Sequence, residues 1–392
     1  MRFALLGSDP DALALAAAAA ESGRHQLTCL VEVAQADAAA LRSLAPRARD
    51  ERDWEILLTD EAADAVIVAA DPDEDRRAEQ LRKLIQERKP LLIVHPVFPS
   101  MLLYYELDMI RRETGCVVQP YLPWRTHPAV KQLSEWTDAR GRLGRLEQVV
   151  FERSMAERTQ RRVLEQFARD ADLLRHLCGE LNQVSALAPN ADAAGYAALG
   201  VQLSGPSGVA VRWSVSPAGE NPAGKVTFWG ARGQAVLMLP ARGSLRDDPP
   251  WRLEVADAAA DAESWPDFDP ATEALDRFAG TVAGEESLAG WSDAARAVEL
   301  AEAVERSVRR GRTIELHDED FSEEATFKGT MTSLGCAVLM FGLVTLVVAA
   351  AFGQHGRWLY VLLALFLLFL ALQLFRLVFR GRTKAGGSTS QP

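Results

Sequence analysis

Over the first 125 residues the chain alternates between short apolar runs and longer stretches with helical periodicity. Residues 2–6, 25–33, 65–70, 91–94 and 116–120 have the length and apolar content of buried strands. Between them, residues 10–22 open on Pro10 and are followed by Gly23, the proline-first, glycine-last asymmetry of a helix. A short alanine-rich helix follows the second strand, and residues 73–88 and 101–114 are again helical. Strands alternating with helices at this spacing predict a doubly wound parallel sheet. Ligands of such a sheet lie beyond the carboxyl ends of its strands. Here those segments are residues 7–11, 71–74, 95–100 and 120–127.

Beyond Pro128 the pattern changes. Residues 129–136 and 163–178 read as helices and 144–153 as a strand. Runs at 196–203, 209–215, 225–229 and 234–239 are β-rich and separated by Gly, Pro, Ser and Asn, with GPSG at 205–208 as a hairpin turn. They predict one open antiparallel sheet. Residues 242–250 form a polar loop, and 271–282 and 293–308 are helical. The last of these has an apolar stripe at Ala294, Val298, Ala301 and Val304, Ser292 as its cap and Gly311 as its stop. Residues 313–316 return as a strand. The expected fold class is therefore α/β plus α+β: a Rossmann-type domain at 1–125 and an α+β domain at 126–316.

Residues 317–330 form an acidic linker, and 331–375 carry two charge-free runs of about 18 to 22 residues joined by GQHGR. At about 1.5 Å per residue each run reaches roughly 27 to 33 Å, the thickness of the hydrocarbon core. A transmembrane hairpin is expected. Arg376, Arg380, Arg382 and Lys384 follow the second run, against only Arg357 and His355 in the turn. The positive-inside bias puts the tail at 376–392, and with it the N-terminal part, in the cytoplasm. The alanine-rich start imitates a signal peptide, but Asp9, Pro10 and Asp11 interrupt it, so no cleavage is expected.

Composition removes several functions. The net charge of −11, with no basic stripe, argues against a nucleic-acid partner. Four cysteines and six histidines stand far apart, without C-x-x-C or H-x-x-x-H spacing, so neither a metal site nor a disulfide framework is expected.

Several stretches, in order, resemble the glucose-fructose oxidoreductase / inositol dehydrogenase family (Gfo/Idh/MocA). Residues 64–69 (DAVIVA) are similar to its D-A-V-x-V-A strand, and 89–96 (KPLLIVHP) to its G-K-x-V-x-x-E-K-P stretch. Residues 125–130 (RTHPAV) are similar to its R-x-x-P segment, 141–144 (GRLG) to its G-x-x-G, and 172–179 (DLLRHLCG) to its D-l-l-x-w-l-x-G helix. Residues 294–316 resemble its closing helix and strand. The resemblance implies an NAD or NADP cofactor, hydride transfer at a sugar or polyol carbon, and oligomerisation through the open sheet. The membrane hairpin lies outside the family's common pattern.

Position by position, the chain departs from that chemistry. In the G-x-G-x-x-G frame stand Gly7, Asp9 and Ala12. Asp9 would set a carboxylate against the pyrophosphate, and Pro10 removes an N–H donor. Glu32, after the second strand, is the candidate for a ribose hydroxyl, the alternative being a solvated loop carboxylate. In the family's E-K-P motif the lysine becomes His95, before Pro96. His95 is a candidate acid or base, the alternative being a loop histidine held by the backbone. Anchored on Asp172, the family's catalytic histidine becomes Arg169, which cannot act as a base. An anion or a structural ion pair are the two readings of its charge.

Three departures together predict weak or absent NAD(P) binding and a catalytically impaired, membrane-anchored protein that serves as a ligand-binding or scaffold subunit. Its expected partners are the lipid bilayer, a small sugar or nucleotide ligand, and a second copy through the open sheet. The alternative is a working NAD(P)-dependent oxidoreductase acting on a sugar or polyol derivative at the cytoplasmic membrane face. A third reading is a membrane-assembly protein whose pocket is filled by side chains.

Overall fold

The computed structural model describes residues 1–59, 62–138, 140–189, 195–218, 224–239, 251–255, 262–287 and 289–316. They belong to one compact unit, Met1–Leu316. Among the described residues no helix is long and apolar enough to cross a membrane. The two expected spans at 331–375, the linker, the tail and the loop at 242–250 lie outside the described residues.

The first half is a six-stranded parallel sheet. Its strands are β1 (Arg2–Leu6), β2 (Gln26–Val31), β3 (Arg49–Glu51), β4 (Ala65–Val68), β5 (Leu91–Val94) and β6 (Val118–Tyr121), in spatial order β3-β2-β1-β4-β5-β6. The order reverses between β1 and β4, which opens a crevice at their carboxyl ends. β4 (AVIV) and β5 (LLIV) are buried at every position, as a sheet covered on both faces requires. The short β3 and a 3-10 turn at Trp54–Leu58 were not legible in the pattern.

Helices α1 (Pro10–Glu21) and α2 (Gln35–Leu44) share one core with α7 (Pro270–Val282), through Phe3, Leu15, Leu275 and Phe278. On the other face lie α3 (Glu74–Gln86) and α4 (Met101–Thr114). α3 starts where the Asp73 side chain accepts from the Arg76 N–H, and α4 ends at Gly115, left-handed at φ 68°.

In the second half, β7 (Leu146–Met155), β8 (Gln183–Leu187), β9 (Gly200–Ser204), β10 (Ala210–Pro217), β11 (Gly224–Gly230), β12 (Gly233–Leu239), β13 (Arg252–Val255), β14 (Glu263–Ser264) and β15 (Ile314–Glu315) form a nine-stranded sheet. The expectation of a purely antiparallel sheet needs one correction. Its central pair, β7 and β10, runs parallel, with Phe151 opposite Trp213. The intervening chain, through α6 (Gln160–Cys178) and the β8–β9 hairpin, is long enough for the crossover that a parallel pair demands.

α8 (Trp291–Arg310) packs beside α6. It begins two residues earlier than expected, with Gly290 as N-cap and the Asp293 carboxylate accepting from the Gly290 N–H, so Ser292 is not the cap. One continuous cluster of buried residues runs from Val66 and Ile93 through Leu133 and Phe167 to Phe228. Because that core is shared, a chain ending at Leu316 is expected to melt in a single cooperative transition. Aggregation without a transition would show that the unit does not stand alone.

Candidate functional site

α6 passes over the crevice and sets its side chains. Asp170, fully buried, accepts from Arg153 Nε of β7 at 3.0 Å and from Trp213 Nε1 of β10 at 2.9 Å. Asp172, also fully buried, accepts from Arg125 through Nη2 at 2.6 Å and Nε at 3.1 Å. Arg125 also reaches Asp293 at 3.0 Å. These two pairs fix the helix against the second sheet and against the loop after β6. Asp172 is thus committed to Arg125.

One residue before Asp170, Arg169 points the other way. Its Nη1 lies 2.8 Å from Oδ2 of Asp11, in the first turn of α1. Burial works against its charge, yet the carboxylates of Asp11 and Asp9 outweigh it and raise the guanidinium pKa further. Arg169 is therefore a permanent cation, tied to the turn that follows β1.

The turn itself is built from carboxylates. Gly7 closes β1 at φ +85°, and a Cβ there would stand 2.5 Å from Nη2 of Arg77, so glycine is required by close approach as well as by backbone conformation. Asp9 is the N-cap of α1, and its side chain accepts from the Asp11 N–H at 2.9 Å. Pro10 offers no donor. A pyrophosphate at a helix start needs such free amides, and here Asp9 has taken one of them. Burial, then the neighbouring Asp11, raises the Asp9 pKa against the pull of Arg169. Ala12 is fully buried and packs α1 on the sheet.

Glu32, at φ +53°, is engaged as well. Its carboxylate accepts from Gln80 Nε2 at 3.1 Å and lies 3.7 Å from Arg76. Arg76 and Arg77 converge on Asp71 at 2.6 and 3.1 Å, and Arg77 donates to Gln80 at 2.8 Å. The turn after β1 and the start of α3 are thus lined by carboxylates that already have partners within the chain.

His95 stands just past β5, and Pro96 follows it. The imidazole is 3% exposed and packs against the backbone of Ala168 in α6. Burial, then the charge of Arg169, pushes its pKa down to about 3. His127, stacked on Trp251 with ring centroids 4.0 Å apart, is likewise pushed to about 3 by burial.

Both imidazoles stay neutral in the folded chain but take up protons in the unfolded chain near pH 6.5. Between pH 6.5 and 3 the unfolded state binds more protons, so stability is lost as pH falls through that window. Each histidine is expected to cost about 2 kcal/mol at pH 5 relative to neutral pH. His127 Nδ1 accepts from the Ala129 N–H at 3.1 Å and caps the helix Pro128–Thr137; denaturant melts of His127→Asn, which keeps a capping acceptor, should show a correspondingly shallower acid loss. An unchanged slope would contradict this.

The crevice thus brings together Gly7, Asp9, Ala12, Glu32 and Arg169, with His95 and Pro96 at its β5 edge, while Asp172 is held apart by Arg125. Sequence reasoning missed Asp11, Asp71, Arg76, Arg77 and Gln80. The signal available was an acid–base sequence at the start of α3, DPDEDRR at 71–77, unusual beyond a parallel strand.

No family model matches the sequence, and no curated protein does. Solved structures do match. A myo-inositol dehydrogenase from Corynebacterium glutamicum is 18% identical, with 81% of this chain and 99% of that chain covered at a TM-score of 0.64. An aldose-aldose oxidoreductase from Caulobacter crescentus, complexed with glycerol, is 16% identical over 81% and 99%, at 0.66. An oxidoreductase from Agrobacterium radiobacter, in complex with NAD+, L-tartaric acid and magnesium, is 13% identical over 80% and 98%, at 0.65. At these identities the likeness is one of fold: the chain has the fold of the Gfo/Idh/MocA-type NAD(P)-dependent oxidoreductases.

Proposed function

We propose that this protein is a membrane-tethered member of that fold group in which hydride transfer has been lost, and that it serves as a ligand-binding or scaffold subunit. The observation that carries the reading is the 2.8 Å pair between Arg169 and Asp11. It joins the position of the family's base to the position of its pyrophosphate and satisfies both internally. The rival reading, a working oxidoreductase on a sugar or polyol with His95 as acid/base, is disfavoured by the same site. A catalytic acid/base works best with a pKa near the operating pH, and His95 is held at about 3.

The test is a melting assay with NADH and with NADPH. Ligands that bind only the folded state raise its stability in proportion to log concentration. At about 1 mM cofactor (a Kd of that order adds only about 0.4 kcal/mol), a shift within error is the expected outcome. A clear rise, with turnover of any polyol, favours the working enzyme.

The tether rests on the two charge-free runs at 331–375. A cytosol-dependent reporter fused after Pro392 is expected to be active, and an export-dependent one silent; the reverse would overturn the charge argument. Self-association through the open sheet belongs to the same proposal. Its outward positions on β7, β9 and β10 include Gln148, Gln202 and Arg212, all exposed.

A further inference from the structure

α8 ends in a cluster of guanidiniums. Arg306, Arg309 and Arg310 stand on its last turns and Arg312 follows Gly311, against Glu305 and Glu315 in the same stretch. Elsewhere arginines are paired closely, as Arg82 is with Glu106 and Arg277 with Glu273. None of the four at the end of α8 makes an ion pair or a side-chain hydrogen bond among the described residues. A helix C-terminus favours cations, which accounts for Arg309 and Arg310. It does not account for Arg312, beyond the helix, or for Arg306, whose Nε is buried and unpartnered.

Ser307, buried among them, fixes the cluster. Its Oγ donates to the Arg312 carbonyl at 2.8 Å and accepts from the Ala186 N–H of β8 at 2.9 Å. The left-handed turn at Gly311, φ 60°, thus folds Arg312 back onto the last turn of α8. Ile314 of β15 pairs with Val184 of β8, so the antiparallel register carries Gly311 back beside Leu187. Leu187 is 71% exposed. A bare leucine beside unpaired guanidiniums is the combination by which a surface meets lipid. Beyond Leu316 only residues 317–330 precede the first charge-free run, about 50 Å of chain if fully extended.

Unpaired cations, an exposed leucine and a tether within reach select one partner. We propose that the C-terminal end of α8, with the adjoining end of β8, docks on the anionic headgroups of the bilayer that holds the chain. The inference rests on the tether proposed above and adds the surface that meets the lipid. Guanidiniums donate in pairs to phosphate and carboxylate oxygens, and Leu187 enters the boundary beneath them. The cytoplasmic leaflet, on the side assigned to this unit by the charge bias, carries the anionic lipids. The acidic run at 318–324 is the competing anion within the chain. It matches the charges; a lipid surface matches the charges and also takes up Leu187.

The experiment uses the full chain, one copy per nanodisc, in phosphatidylcholine alone or mixed with phosphatidylserine. Cys336→Ser removes the cysteine outside the folded unit, and Cys29, Cys116 and Cys178 are buried. A fluorophore on Thr313→Cys, an exposed position, reports contact through quenchers carried on the lipid headgroups. Quenching is expected in the phosphatidylserine discs and not in the neutral ones. It should vanish at about 1 M salt, where the Debye length is about 3 Å. A fluorophore on Leu44→Cys, on α2, should stay unquenched throughout. Each arginine at an anionic surface favours docking about fivefold, so Arg309→Gln with Arg310→Gln and Arg312→Gln should lower the docked-to-free ratio about a hundredfold. All three side chains are exposed, so the fold is kept. Equal quenching in both lipids, equal quenching at Leu44, or indifference to the arginine changes would each overturn the proposal. So would a response to salt without one to phosphatidylserine, which assigns the arginines to the acidic run instead. A chain that never enters the nanodisc refutes the tether and the docking with it. A chain that enters, with Thr313 unquenched, refutes the docking alone.

Discussion

NADH titrated into the full-length protein is expected to show no saturation below about 1 mM, equivalent to a binding free energy weaker than about −4.1 kcal/mol. The reason is charge, placed where the cofactor's own charge belongs. Asp9 caps α1 and Asp11 follows it, while the cation in reach, Arg169, is already paired. Two unit charges about 4 Å apart interact by about 4 kcal/mol at an effective dielectric of 20. A tenfold change in affinity needs only about 1.4 kcal/mol, so even a heavily screened repulsion decides the outcome.

Asp9→Gly with Asp11→Ala removes both carboxylates, restores a free amide and releases Arg169 toward the incoming phosphate. Glycine is tolerated at an N-cap at a cost of a few tenths of a kcal/mol, so the fold should survive. The double variant is expected to bind NADH at least about tenfold more tightly than the unaltered protein. Turnover should remain absent, because Arg169 is no base. Adding Arg169→His and His95→Lys then asks whether the rest of the site is competent. Micromolar binding by the unaltered chain would defeat the account at its first step.

How far this was legible in the sequence depends on the kind of interaction. Strand and helix positions in the first half followed from periodicity, because β4 and β5 are buried on both faces and tolerate nothing polar. The parallel β7–β10 pair did not, since side-chain alternation is the same for either strand direction. At the site, Asp9, Arg169 and His95 were legible as departures from the frame that the resemblance supplies. Their partners were not. Asp11 and Arg169 are 158 positions apart, and nothing in either neighbourhood announces the other. Asp11 read only as an interruption of an apolar run. Glu32 was legible as a candidate, but its engagement by Gln80, 48 positions on, required the packing of α3 beside β2. Local chemistry is written in the sequence, and long-range pairing is written in the fold.

That distinction has a measurable form on α6, where three charged residues within four positions have different duties. Arg153→Met is expected to destabilise the protein by about 3 to 5 kcal/mol, because it strands the Asp170 carboxylate in the core. Asp170 and Arg153 are both at most 1% exposed, and only Trp213 and Gln166 would remain to donate to the carboxylate. Arg169→Gln should cost clearly less, since that side chain is 25% exposed against 2% for Arg153 and water can reach part of what it leaves. A third variant separates pairing from shape. Arg153→Met with Asp170→Leu removes both charges, and buried pairs replaced by apolar side chains often lose little. The double variant should therefore recover most of the stability lost by Arg153→Met alone. Denaturant midpoints of the three proteins decide the matter. If Arg153→Met and Arg169→Gln fell equally, Arg169 would be part of the scaffold, and its pairing with Asp11 would say nothing about the cofactor. If they differ as expected, the scaffold that positions α6 has been kept intact around a crevice whose charges have been reassigned to one another.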